Sequence, residues 1–257
     1  MSRNAREPSC GFPHRANLAD VQRSVRPSPR GEPGALASAR MEIGELIGTG
    51  RTADVWALND GRVLRRYRDG LSADGEAEVM THLAEHGYPV PAVWAAERPE
   101  DLIMERLGGP TMLESLVAGT ISPGAAGELL AELLRRLHEI PPRAATRPGD
   151  RVLHLDLHPD NVLLTAHGPV VIDWFTAAEG EPGLDDAMSA VILAQALHDR
   201  PDTARTVLAP LLRGLPPLTE HHLAEARARR AADPTLTAEE IAALDDALTL
   251  IRSCAAG

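Results

Sequence analysis

The chain has 257 residues, a formal net charge of −11 and two cysteines, Cys10 and Cys254, which stand near opposite ends. A strongly acidic balance disfavours nucleic-acid binding, which needs a basic surface, and two distant cysteines indicate neither a disulfide framework nor a metal cluster. No apolar run approaches the roughly 20 residues that span a bilayer, and the N-terminus lacks the apolar core of a signal peptide. We therefore expect a cytoplasmic protein that does not contact membranes.

Residues 1–40 differ from the rest of the chain in composition and charge. They are rich in Arg, Pro, Ser and Gly and carry a formal charge of +4, whereas the remainder carries −15. This composition is typical of a disordered tail. We expect Met41 to be the natural start, and deletion of residues 1–40 to leave folding and activity intact. The acidic remainder would attract cationic ligands, although such a charge also serves solubility alone.

From Met41 to about Arg68 the sequence is strand-like. "MEIGELIGTG", "ADVWAL" and "RVLRRY" are β-prone runs, and the "NDG" at 59–61 is typical of a hairpin turn. Apolar residues within 72–85 recur at helical spacing and predict one helix. "YPVPAVWAAE" and "DLIMERL" predict two more strands, so we expect five strands and one helix by residue 107.

Beyond Gly108 the pattern becomes helical. The leucines from Leu129 to Leu137 form a stripe at helical spacing that ends before Pro141. Short strands and loops are predicted for "RVLHLDLHPDNVLL" and "PVVIDWF". Further helices are predicted at about 184–198, 202–213, 218–231 and 237–252. The fold class is therefore α+β, with an N-terminal antiparallel sheet lobe over 41–107 and a mostly helical lobe over 108–257.

The segment "HLDLHPDNVLL" at 154–164, followed by "VVIDWF" at 170–175, carries the chemistry. Its pairing of His-x-Asp-x-x-x-x-Asn with a hydrophobic-Asp-Trp motif resembles the aminoglycoside phosphotransferase and choline-kinase-like family of the protein-kinase-like superfamily. The resemblance extends over 41–257 and implies transfer of the γ-phosphate of ATP, with Mg²⁺, to a hydroxyl of a small molecule. Such a transfer needs a carboxylate near the attacking hydroxyl and oxygen ligands for Mg²⁺.

The resemblance implies a role for each polar residue of this segment. Asp156 would be the catalytic aspartate, which orients the acceptor hydroxyl and takes its proton. Asn161 and Asp173 would be the Mg²⁺ ligands, and His154 would brace the loop. A surface turn would explain "HPDN" alone, but it would not explain the apolar runs "VLL" and "VVID" that flank the polar residues.

The segment "GTGRTADVW" at 48–56 resembles the Gly-rich loop that covers the phosphates in this superfamily. Gly48 and Gly50 are in place, and Ala53 stands where a third glycine often occurs. Glycines in such a loop let the backbone approach phosphates closely. Val55 and Val63 are implied as adenine-packing residues, with an ordinary core role as the alternative.

The strand "RVLRRY" departs from the family pattern, which places a lysine here. The sequence contains no lysine, and alignment gives this position to Arg65, on the same strand face as Val63. Arginine keeps the charge and can bind phosphate bidentately, but it differs in size and geometry. Its implied partner is Glu76 in the following helix, with Glu78 as the alternative, while Arg66 faces the other side of the sheet.

The segment "LIMERLGG" at 102–109 matches the connection between the two lobes. In the family, backbone groups of this connection bind the adenine edge, which implies this role for Glu105, Arg106 and Leu107.

The acceptor is expected to be small and cationic. Only about ten residues separate Asp173 from the next helix, whereas protein kinases use a longer segment that ends in Ala-Pro-Glu. After residue 177 the chain carries thirteen acidic residues against seven arginines. The resemblance therefore implies an aminoglycoside or another amine-bearing alcohol as acceptor. Asp185 and Asp186 are interpreted as charges that complement a helix dipole, in preference to substrate ligands.

Two alternatives stay open from the sequence. A pseudokinase-type module would keep the fold for nucleotide or partner binding with little catalysis, and its support is Arg65 in the lysine position. A protein kinase is disfavoured by the short segment after Asp173. The oligomeric state and the choice between ATP and GTP are not encoded in any motif.

Overall fold

The N-terminal part of the chain forms a five-stranded antiparallel sheet in the computed structural model, which describes residues 42–49, 52–144, 147–196 and 201–256. The basic tail predicted for residues 1–40 lies outside the described residues. The strands are β1 (Ile43–Thr49), β2 (Ala53–Leu58), β3 (Arg62–Tyr67), β4 (Val93–Trp94) and β5 (Asp101–Glu105). Their order in the sheet is β1-β2-β3-β5-β4, and each neighbouring pair is antiparallel.

Side-chain alternation gives the two faces of this sheet different environments. Val63 and Met104 belong to the main core together with Val79 and Leu83 of helix α1 (Asp74–Glu85). Leu64 alternates to the other side and is part of a separate, smaller cluster. The helix therefore packs on one face of the sheet and brings its first turn close to β3.

The C-terminal part is mostly helical. Its helices are α2 (Met112–Val117), α3 (Pro123–Leu137), α4 (Pro182–Ala196), α5 (Pro201–Gly214), α6 (Glu220–Ala231), α7 (Ala238–Ala242) and α8 (Leu244–Ala255). Every residue of α4 from Leu184 to Ala196 is buried, because this central helix packs against α5, α6 and α8. Among the described residues, no helix combines the length and the apolar character that crossing a bilayer requires.

Two small antiparallel sheets lie between α3 and α4 in the sequence. Strand β6 (Arg151–Leu153) pairs with β9 (Ala178–Gly180), and β7 (Val162–Thr165) pairs with β8 (Gly168–Val171). In the second hairpin Val162 is opposite Val171, so Asn161 and Ile172 leave its open end side by side. The amide of Ile172 donates to the carbonyl of Asn161 over 3.0 Å.

The predicted α+β class, with an antiparallel sheet first and helices after it, is confirmed, as are the five strands and one helix among the residues that the structure describes between 42 and 107. Two local predictions need correction. The strand predicted over 88–97 shortens to two residues, because Pro89 and Pro91 cannot donate ladder hydrogen bonds. The helix predicted over 237–252 is divided at Ala243 into α7 and α8.

Candidate active site

The loop between β6 and β7 presents Asp156 and Asn161 on a tightly bonded backbone. Asp156 is buried, with 5% of its surface exposed. The side-chain amide of Asn161 donates to the carbonyl of Asp156 over 2.8 Å. Since the amide nitrogen is used in this bond, the amide oxygen is the group that Asn161 can offer to a cation. The loop thus brings together a carboxylate and an amide oxygen, as the sequence predicts.

His154 ties this loop to the strand that leads to Asp173. Its Nδ1 accepts from the amide of Asp156 at 3.2 Å, and its Nε2 lies 3.0 Å from the carbonyl of Ile172. These partners require the tautomer that carries the proton on Nε2. Thr176 adds a hydrogen bond to the carbonyl of His154 over 2.9 Å. His154 therefore occupies the bracing position that the resemblance implies.

Asp173 stands in a strained backbone conformation directly after the β7–β8 hairpin. Its φ is 65°, in the left-handed region that non-glycine residues avoid. The following residue, Trp174, is 1% exposed, and its amide donates to Oε1 of Glu76 over 3.2 Å. Strain of this kind persists only where the surroundings fix it, and Trp174 supplies that fixation here.

Arg65, on strand β3, contacts the carboxylates of both Glu76 and Asp173. Its guanidinium lies 3.2 Å from Oε1 of Glu76 and 3.2 Å from Oδ1 of Asp173. Burial opposes the charge, but the two carboxylates outweigh it and raise the pKa of the guanidinium. Burial also raises the pKa of Glu76, against the effect of Arg65. The predicted pair of Arg65 with Glu76 is thus present, and Asp173 is its third member.

Tyr67, two residues further along β3, completes this group and was not singled out from the sequence. Its hydroxyl donates to Oε2 of Glu76, and Arg65 lies over its ring at 4.9 Å. The ring also stacks on Phe175 at 5.3 Å between centroids. The period-two alternation of the strand could have identified Tyr67, because it shares a face with Val63 and Arg65.

Glu78 and Arg66 lie away from the pair of Arg65 with Glu76. Glu78 keeps 71% of its side chain exposed and pairs with Arg143 at 3.0 Å, away from Arg65. Arg66 points to the opposite face of the sheet, where its Nη2 donates to Oδ2 of Asp101 at 2.7 Å.

Asp185 accepts hydrogen bonds from the backbone of the loop that carries Asp156, a role that the sequence did not reveal. Its Oδ1 accepts from the amide of Leu155 at 2.7 Å, and its Oδ2 accepts from the amide of His154 at 3.0 Å. Leu155 has a φ of 63°, so Asp185 holds a second left-handed residue just before Asp156. The interpretation of Asp185 as a helix-dipole charge is therefore incomplete: it lies in the first turn of α4, but its carboxylate caps loop amides.

The residues predicted to cover the nucleotide lie on β1 to β3, with one exception. Gly48 pairs with Val55 across β1 and β2, while Gly50 lies outside the described residues. Ala53, Val55 and Val63 are all buried in the main core, at 3%, 3% and 0% exposure. Burial alone is compatible with adenine packing and with the core alternative.

In the connection between the lobes, the backbone already uses two amides. The amide of Glu105 donates to Ala92, and that of Arg106 donates to Gly61 at 3.1 Å. If one of the three predicted residues donates its amide to an adenine edge, that residue is therefore Leu107. Gly109 follows with a φ of 131°, and a Cβ there would lie 2.4 Å from the carbonyl oxygen of Leu164.

The donor set fits a magnesium–nucleotide complex better than a metal held by protein alone. Among the described residues, no group of three or more His, Cys, Asp or Glu side chains could hold a metal. One carboxylate with one amide oxygen is the set that Mg²⁺ accepts when phosphate oxygens complete its shell. The guanidinium against Asp173 shows that this position favours positive charge.

A model of the phosphotransferase enzyme family, known as APH, matches the chain over residues 44–151 and 143–215. These two matches together span more than half of the sequence and include every described candidate residue. A comparison with curated proteins gives no significant match.

Solved structures of kinases share the fold. A choline/ethanolamine kinase family protein from Mesorhizobium loti is 14% identical with a TM-score of 0.53, covering 86% of this chain and 94% of its own. A thermostable mutant of aminoglycoside phosphotransferase APH(4)-Ia, in complex with AMP-PNP and hygromycin B, is 14% identical with a TM-score of 0.55, covering 81% and 93%. An ethanolamine kinase from Plasmodium vivax is 12% identical with a TM-score of 0.52, covering 82% and 83%. At these identities the likeness establishes the fold alone.

Proposed function

The chain belongs to the phosphotransferase enzyme family, and on that premise we propose that it transfers the γ-phosphate of ATP to a hydroxyl of a small amine-bearing alcohol. The observation that carries this proposal is that Asp156, Asn161 and Asp173 lie around one hairpin end, where Arg65 of β3, paired with Glu76 of α1, contacts Asp173. The family and the fold support a small-molecule phosphotransferase. The nucleotide, the metal and the acceptor are the proposed parts.

Asp156 is proposed to act on the acceptor. Its carboxylate would orient the hydroxyl and take its proton while the oxygen forms a bond to the γ-phosphorus and the bond to the bridging oxygen of ADP breaks. The hydrogen bond from Asn161 to the Asp156 carbonyl fixes the backbone from which this carboxylate projects. Most of the catalytic effect would come from such positioning.

Asn161 and Asp173 are proposed to hold Mg²⁺, which when bound neutralises charge on the β- and γ-phosphates. Arg65 is proposed to contact the phosphates in place of the family lysine, and its pair with Glu76 sets the direction of the guanidinium. Gly48, Gly50 and Ala53 would cover the phosphates, and Val55, Val63, Glu105 and Leu107 would surround the adenine.

An amine-bearing acceptor is supported by charge and by the compounds named for similar structures. The charge of −15 after residue 40 favours cations near the protein. The neighbours with the same fold include ethanolamine kinases and an aminoglycoside phosphotransferase bound to hygromycin B. The pseudokinase alternative gains no support from these comparisons.

Thermal unfolding of the full chain with and without Mg·ATP tests the nucleotide site. A ligand that binds only the folded state raises stability by RT ln(1 + [L]/Kd), so we expect a magnesium-dependent increase in Tm that Asp173→Asn removes. The matched control is Asp69→Asn, because Asp69 also has a left-handed φ, of 58°, but is exposed. A Tm unaffected by Mg·ATP in the unaltered chain would refute the nucleotide site.

A screen of aminoglycosides and amino alcohols for acceptor-dependent ADP formation tests the reaction itself. We expect at least one amine-bearing alcohol to accelerate ADP formation by the unaltered chain, and Asp156→Asn to abolish that acceleration. Acceleration by neutral polyols in place of amines would contradict the acceptor class while leaving the phosphotransfer intact.

A further inference from the structure

His138 lies between two carboxylates at the end of α3. It is the residue directly after the helix, and 10% of its side chain is exposed. Its Nε2 is 3.0 Å from Oδ2 of Asp185, and its Nδ1 is 3.6 Å from Oδ1 of Asp186. Among the described residues, that oxygen of Asp186 has no hydrogen-bond partner. Both ring nitrogens therefore face acceptors.

This arrangement is the one expected for a protonated imidazole. A neutral ring has one donor and one acceptor nitrogen, and its acceptor would then face a carboxylate oxygen. Burial disfavours the charge on His138, but the hydrogen bond to Asp185 and the charges of both carboxylates outweigh it and raise the pKa of the imidazole. Two facing carboxyl groups therefore favour the proton on the imidazole, and the direct hydrogen bond is the one to Asp185.

Asp185 connects His138 to the candidate catalytic loop. The carboxylate is fully buried and accepts the amides of His154 and Leu155. Leu155 has the left-handed φ of 63°, and Asp156 is the next residue. A hydrogen bond to an ionised acceptor is stronger than one to a neutral acceptor, so Asp185 restrains these amides best as an anion.

A fully buried anion needs a compensating charge, because an isolated carboxylate in a protein interior takes up a proton. His138 supplies it, since the ring bonds Asp185 directly. Removal of the imidazolium would neutralise or displace Asp185, and the amides of His154 and Leu155 would lose their acceptor.

We propose that protonated His138 is a positioning residue for Asp156, acting through Asp185 and the left-handed Leu155. The structural part of this proposal stands on the contacts alone, whereas its effect on catalysis rests on the proposed phosphotransfer.

Other ionisable groups face this cluster and set the pH range in which it works. Asp185 and Asp186 belong to α4, and Arg151 on β6, which lowers the pKa of His138, donates its Nε to the His138 carbonyl at 2.9 Å. His154 acts on Asp185 from the loop, and His222 acts on Asp186 from α6. Burial, together with the charge of Asp185, raises the pKa of the Tyr88 phenol.

Hydrogen–deuterium exchange of the full chain, resolved to single amides, tests the restraint without any substrate. We compare His138→Ala and His138→Gln with His167→Ala, an exposed histidine in the turn between β7 and β8. The amides of His154 and Leu155 should exchange about tenfold faster in His138→Ala, and by a smaller factor in His138→Gln, which keeps a donor without the charge. His167→Ala should match the unaltered chain.

A pH series of the same exchange measurement separates a role of the His138 charge from a role in packing alone, because packing alone would give no step in amide protection near the pKa of His138. After correction for the intrinsic rate, protection of the Leu155 amide should fall in the unaltered chain as pH rises through the raised pKa of His138. The His138→Ala variant should lack this step. If His138→Ala does not fold, His138→Gln carries the same comparison.

The outcomes separate this proposal from the phosphotransfer. Unchanged protection of His154 and Leu155 in the folded variants, or an equal loss of protection over the whole chain, overturns the role of His138. If an acceptor is found, His138→Ala should lower kcat at least about tenfold while the KM for ATP stays within about twofold. An inactive unaltered chain that nevertheless shows the amide effect would refute the proposed function and leave the restraint established.

Discussion

The guanidinium of Arg65 lies 3.2 Å from Oδ1 of Asp173, so a cation from the sheet already contacts the carboxylate that we propose as a metal ligand. Both partners are at least four-fifths buried, and Glu76 completes the group. Three side chains from β3, α1 and the β8–α4 connection are thereby held in one ionic cluster across the two parts of the chain.

The cluster predicts a graded effect of substitutions at Arg65. Arg65→Met leaves two buried carboxylates without a cation and should lower the free energy of unfolding by about 3–5 kcal/mol. Arg65→Lys keeps the charge and should cost less. Urea unfolding measures both. Equal loss in the two variants would show that shape, and not charge, holds the cluster.

Asp156→Asn should abolish acceptor-dependent ADP formation while preserving the Tm increase with Mg·ATP. Loss of a positioned general base typically lowers the rate by about 10²–10⁴-fold. The control is Asp160→Asn in the same loop, which should keep most of the activity. An Asp156→Asn variant within about tenfold of the unaltered rate contradicts the assigned role.

Tyr67→Phe should cost more stability than Tyr88→Phe, although each removes one buried hydroxyl. Tyr67 donates to the carboxylate of Glu76, whereas Tyr88 donates to the neutral carbonyl of Leu133 at 3.1 Å. Bonds to charged groups contribute about 1.5–3 kcal/mol and neutral ones about 0.5–1.5 kcal/mol. Denaturant unfolding of the two variants side by side checks this order, and the reverse order would exclude an ionised Glu76 as the acceptor.

Asp186 predicts a pH dependence of stability. Burial raises its pKa from 3.8 to about 7, against the effect of His138 and with that of Asp185. A raised pKa of an acid means that the folded state loses stability as pH rises from about 4 to about 7, because the unfolded chain ionises first. Asp186→Asn should therefore gain on the order of 2 kcal/mol relative to the unaltered chain between pH 5 and pH 8. A difference independent of pH would contradict the shift.

Gly109→Ala should destabilise the chain where Gly108→Ala does not. A Cβ at Gly109 would meet the carbonyl of Leu164 at 2.4 Å in a backbone with φ 131°, whereas nothing lies within 4 Å of a Cβ at Gly108. We expect a loss on the order of 2 kcal/mol for the first substitution alone. Comparable Tm values for the two variants would show that the connection near β7 can shift.

Sequence periodicity predicted the order of strands and helices. The site residues, in contrast, could be predicted only where a motif marks them. The strand alternation in "RVLRRY" placed Arg65 on the core side and Arg66 opposite, which the structure shows. Glu76 and Glu78 could not be separated by propensity, because their difference in exposure comes from the packing of α1 on the sheet.

His138 and Asp185 were beyond sequence reasoning for a related reason. They are 47 residues apart and meet because α3 and α4 both pack against β6. Asp185 reads as an ordinary first-turn acid, since a helix dipole accounts for it without any tertiary contact. Contacts of this separation leave no periodic pattern in one sequence.

The β7–β8 hairpin has a consequence for engineering. Asn161 and Ile172 stand opposite each other at its open end, and only Ala166 and His167 separate the paired residues Thr165 and Gly168 at the other. An added residue within either strand would shift Asn161 relative to Asp173 and turn side chains to the wrong face. An added segment at the exposed turn changes neither, so a fluorophore or affinity handle inserted between Ala166 and His167 would report on this protein without altering the spacing of its chemistry.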